Sequence, residues 1–162
     1  MDFNERLQKA IHRGMVRGVE QDAKEREERL SEEELRGLYS KYRLELSDYI
    51  EKCLKHLPTH FPGFELETIF GDRGWGAAVS RDDFSGSSRG SRNNLYSRLE
   101  ITVRPASSHS VLDLQAKGTI QNKELFRRQH YQEIADVDLE QFKELVDLWI
   151  LGFAEQYASI KP

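Results

Sequence analysis

The chain has one cysteine, four prolines and no apolar run long enough to cross a bilayer. Lone Cys53 excludes an internal disulfide and points to a reducing, cytoplasmic setting, and nothing near the N-terminus reads as a secretory leader. Positive charge is not in excess: 24 Lys and Arg face 28 Asp and Glu, for a net charge of -4. That balance argues against bulk attraction to nucleic acid. Neither a phosphate-binding GxxxxGK[ST] nor a dinucleotide GxGxxG is present.

What remains is 162 residues, enough for one domain with a core of its own. The composition is 38% hydrophobic and 32% charged, with a mean hydropathy of -0.70. A chain this polar is expected to carry part of its charge on a segment with little core to cover.

The N-terminal part fits that expectation. Phe3, Leu7, Ile11, Met15 and Val19 recur every four residues, laying a narrow apolar stripe along a helix. Arg6, Lys9, Arg13 and Arg17 against Asp2 and Glu5 make this helix basic. Such a helix docks into a partner's groove, packs on a second copy or on its own domain, or lies on an anionic membrane. Gly14 and Gly18 weaken it, at about 1 kcal/mol each relative to Ala, and leave a smooth edge for close approach.

From Glu20 to Arg36 eight acids face four bases, with only Ala23, Leu30 and Leu35 apolar. This stretch predicts a solvated helix or arm held by i,i+4 pairs. Ser31 followed by Glu34 is a capping-box pattern, so a break near Leu30 and a fresh helix start at Ser31 are expected. The division that follows is an arm over 1–30 and a single domain over 31–162.

Leu35, Leu38, Tyr42, Leu46, Tyr49, Ile50, Cys53 and Leu57 give the next helix a broad apolar face to about His56, where Pro58, Pro62 and Gly63 stop it. The period then changes to two. Phe64, Leu66, Thr68 and Phe70 alternate with Glu65, Glu67 and Ile69, and a Gly71–Gly74 turn leads to a second strand with Trp75, Ala77 and Val79. A Gly- and Ser-rich loop follows. The third strand, Leu95 to Arg104, sets Leu95, Ser97, Leu99, Ile101 and Val103 on one face and Tyr96, Arg98, Glu100, Thr102 and Arg104 on the other. Val111 to Ile120 forms a fourth strand, and Leu125 to about Ile134 a fifth whose mixed faces suit a sheet edge. Asp138 caps a last helix, Leu139 to about Tyr157, with Phe142, Leu145, Val146, Trp149, Ile150 and Phe153 on its apolar side. The expected fold is α+β: an antiparallel meander of about five strands between an N-terminal helical segment and a C-terminal helix.

Cys53, His56 and His60 have the spacing of a partial metal site, but no second cysteine completes it, so no metal or cofactor is expected. As a Cys/His nucleophile, Cys53 would have to be exposed and electropositive, whereas its place on an apolar helix face predicts burial. Arg81, Ser87, Arg89 and Arg92 form a candidate anion-binding or phosphorylation loop. Tyr96, Arg98, Thr102, Arg104, Arg127, Arg128, His130 and Tyr131 interleave aromatics with bases as some nucleic-acid-binding sheets do, though Glu65, Glu67, Glu100 and Asp113 dilute that surface. The leading expectation is a non-catalytic interaction module, adaptor or chaperone-like, that contacts a protein partner or a second copy through Phe3, Leu7, Ile11, Met15 and Val19. The alternative is a ligand-binding or enzymatic domain with a pocket between sheet and helix, served by His109, His130, Arg98 or Arg128.

Overall fold

The structure, a computed structural model, describes residues 2–84, 94–106 and 110–160, with the side chains of 27–31, 84 and 94 set aside. It is α+β. Helix α1 (Phe3–Leu54) and the short α2 (Leu57–His60) precede five strands: β1 (Glu65–Ile69), β2 (Trp75–Phe84), β3 (Asn94–Val103), β4 (Val111–Ile120) and β5 (Lys123–Glu133). A 3-10 turn at Ile134–Asp136 leads to α3 (Leu139–Ser159). The sheet is an antiparallel meander in the order β1-β2-β3-β4-β5, as the alternation predicts. By internal contacts the chain forms two compact units, Met1–Gly37 and Leu38–Pro162.

The expected helix break near Leu30 does not occur: α1 runs unbroken through residue 31. No glycine or proline lies between Val19 and Arg36. The Glu, Lys, Arg, Ala and Leu that fill this stretch are good helix formers, so one serine with a capping pattern is not enough to end the helix. In the first unit Phe3, Leu7, Ile11, Met15, Val16 and Val19 are all exposed.

In the second unit the core lies on one face of the sheet. Val79 pairs with Leu99, Ala77 with Ile101, Ile101 in turn with Ala116, and Val103 with Leu114. Directly paired residues share a face, so the expected dry side of β3 is real: Ser97, Leu99, Ile101 and Val103 are buried. Leu46, Ile50 and Leu54 of α1, Leu57 of α2, and Phe142, Val146, Trp149, Ile150 and Phe153 of α3 complete the core. Tyr39 anchors α1 by donating its hydroxyl hydrogen bond to the Arg104 carbonyl at 2.6 Å. Asp138 caps α3, its carboxylate accepting from the Gln141 backbone N–H at 3.3 Å.

Three details depart from the simple alternation, the first being Thr102, expected on the wet face of β3 but only 4% exposed. β1 ends at Ile69, which is buried, while Phe70 falls in the following turn and is 75% exposed. The turn is closed by Gly71 and Gly74, both at positive φ. Gly76 has no room for a side chain, because a Cβ there would overlap the Ile101 carbonyl and the Thr102 backbone. On β5, Phe126 pairs with Gly118 and Glu124 with Thr119, so Leu125 is an extra residue at a bulge.

Candidate functional site

The residues singled out by sequence fall into separate places. Phe3, Leu7, Ile11, Met15 and Val19 lie along one unit as an exposed stripe, from 44% exposure at Leu7 to 77% at Phe3. Steps of four residues advance about 40° around a helix, so the stripe winds slowly and is flanked by the basic residues. Gly14 and Gly18 have nothing within 4 Å of where a Cβ would stand.

Of the candidate anion loop, Arg81 is described; Ser87, Arg89 and Arg92 lie outside the described residues, as does His109. Arg81 is tied into the fold by an ion pair from its Nε to Asp83 at 2.6 Å. Asp83 also accepts from the Tyr157 hydroxyl at 3.1 Å.

The interleaved aromatics and bases split between the two faces of the sheet. Tyr96, Arg98, Arg127 and Tyr131 pair with Asp82, Ser80, Lys117 and Asp113 on the face away from the core. Arg128 and His130 pair with Ala116 and Leu114 and lie on the core side. Arg98 is held by Glu67 at 3.2 Å and Glu100 at 3.0 Å, and Arg73 reaches the same two carboxylates. His130 packs edge-on against Phe142, with centroids 5.0 Å apart. Arg128 stands over Phe126 and lines a cleft of about 400 Å³ between β5 and α3, with Leu148, Trp149 and Gln156 on its walls. His130, Arg98 and Arg128 therefore do not converge on one pocket.

Cys53, His56 and His60 do share a place. They line a groove of about 580 Å³ where the end of α1 and α2 face α3. Ile150, Leu151, Ala154 and Ala158 form its α3 wall, Leu57 and Phe61 the other side, and Asp147 and Glu155 its acidic edge. Asp147 is central to the packing beneath: its Oδ1 accepts the Tyr49 hydroxyl at 2.6 Å and lies 3.9 Å from the Cys53 thiol. Cys53 is half-buried rather than fully enclosed, and burial pushes its thiol pKa up, reinforced by the Asp147 carboxylate. This is the reverse of what activates a cysteine nucleophile. Among the described residues no group of three or more His, Cys, Asp or Glu is arranged to hold a metal ion.

Sequence reasoning missed the groove because α3 was read by its core stripe alone. The signal was present in Leu151, Ala154 and Ala158, apolar residues lying outside that stripe. No described helix is long and apolar enough to cross a membrane. No family model, curated protein or solved structure matches the chain.

Proposed function

We infer that this protein is a non-catalytic interaction module, adaptor or chaperone-like in character and cytoplasmic, which binds a protein partner or a second copy through the stripe of Phe3, Leu7, Ile11, Met15 and Val19. The observation that carries the reading is the exposure of all five side chains along the basic first part of α1. Scattered apolar residues on a surface need no explanation, but five in register do, since leaving each in water forgoes roughly 1.5–3 kcal/mol of burial. The separation of His130, Arg98 and Arg128 over different parts of the sheet favours the module over an enzyme.

Ile11→Asp in the full chain tests this. A charge at the centre of the stripe abolishes association measured by light scattering while leaving the thermal unfolding of the core in place. An unchanged mass, with unchanged capture of any partner that full-length protein binds, would sink the reading.

A further inference from the structure

The geometry points to the counterpart of that stripe: residues 3–19 of a second copy seated in the groove between α2 and α3. This rests on the stripe being the contact surface and adds what it contacts.

Three features carry it. First, the groove is built to take a helix. Ile150, Ala154 and Ala158 stand four residues apart along its α3 wall, and Leu151 beside them is 64% exposed. The stripe is also an i+4 row, and packing i+4 ridges of one helix into those of another is the commonest mode of helix contact. Alanines on the wall and Gly14 and Gly18 beside the stripe reduce the bulk between the two backbones.

Second, the charges are complementary. Asp147 and Glu155 edge the groove, and among the described residues no Lys or Arg lines it. Arg6, Lys9, Arg13 and Arg17 flank the stripe against two acids, Asp2 and Glu5. Two stripes brought together would instead set these basic flanks against each other. Third, each surface is incomplete alone: the helix has an apolar row without cover, and the groove has apolar walls open to solvent.

The test uses two full-length variants. Ile11→Asp spoils the stripe and keeps the groove; Ala158→Arg, at an exposed position, fills the groove and repels the basic helix while keeping the stripe. Each alone weakens self-association by about tenfold or more, read by light scattering over a dilution series. Mixed in equal amounts, they associate again, because the intact stripe of one meets the intact groove of the other. If Ile11→Asp abolishes association and Ala158→Arg does not, the stripe stands as the contact surface and the groove is overturned as its receiver. A mixture that stays dissociated overturns it equally. If neither variant changes the mass, the groove is overturned as the receiver of a second copy, and the stripe falls as the contact surface only if Ile11→Asp also leaves capture of a partner unchanged.

Discussion

Asp147 gathers two side chains from α1 at one carboxylate oxygen, and the consequences are measurable in alkali. The hydrogen bond to Asp147 holds the Tyr49 phenol well above its ordinary value, with burial adding to the effect. Tyr39 and Tyr157 are also raised, chiefly by burial. A raised folded-state pKa means that the folded protein keeps its proton where the unfolded chain loses it. The stabilisation is complete below the ordinary tyrosine value of 10.0 and is lost as pH rises beyond it. The urea midpoint should therefore fall above pH 10, and Tyr49→Phe should flatten that decline; an equally steep fall in the variant would remove Tyr49 from the account. The Cys53 thiol, raised by burial, should alkylate at neutral pH more slowly in the folded protein than in urea. Gly76→Ala should cost roughly 2–3 kcal/mol in chemical denaturation, because the clash is with backbone and no rotamer relieves it. At Gly118 the atoms nearest a Cβ belong to the Phe126 ring, a side chain rather than backbone, so Gly118→Ala should cost less.

Among the elements, α3 does the most to close the core. Phe142→Ala, at a side chain with no exposure, should destabilise by about 3–5 kcal/mol, and Asp138→Ala, which removes the cap, by about 1 kcal/mol. A smaller effect for Phe142 than for Asp138 would mean that the core collapses around the gap. The elements whose burial repeats cleanly were the ones legible in sequence. β4 alternates throughout and β3 does so except at Thr102, which is buried on the outward face, and α3 shows an apolar stripe behind a good cap. β1 was harder, since Phe64, Ile69 and Phe70 are all large and apolar and only the start of the turn decides which is inside. The uninterrupted α1 was misread at Ser31 because a capping box is a local signal, whereas continuation depends on the whole run of helix formers around it. The stripe of the candidate site could be read from spacing within one element. Of the groove only one wall shows in the sequence, as Leu151, Ala154 and Ala158 outside the core stripe, since its two walls come from residues about 100 apart and meet only once the sheet has brought α2 and α3 together.

At the scale of the molecule, the two units differ in what holds them. The second is closed around a core of buried apolar side chains on the sheet, while Phe3, Leu7, Ile11, Met15, Val16 and Val19 in the first are exposed. A helical stretch whose apolar side chains are mostly exposed, as in the first part of α1, depends on local pairs and is marginal. In dilute protein, below the range of association, far-UV circular dichroism should begin to fall at lower denaturant than tryptophan fluorescence, because Trp75 and Trp149 both report on the second unit. Coincident transitions would show one cooperative unit instead. The bulge at Leu125 has a further consequence, for the lengths that β5 can take. Sides alternate along a strand with period two, so inserting or deleting a single residue between Leu125 and His130 would turn His130 away from Phe142 and bring Tyr131 to the core side. Changes of two would restore parity. Between the bulge and the end of the strand, β5 should tolerate insertions and deletions in even numbers only.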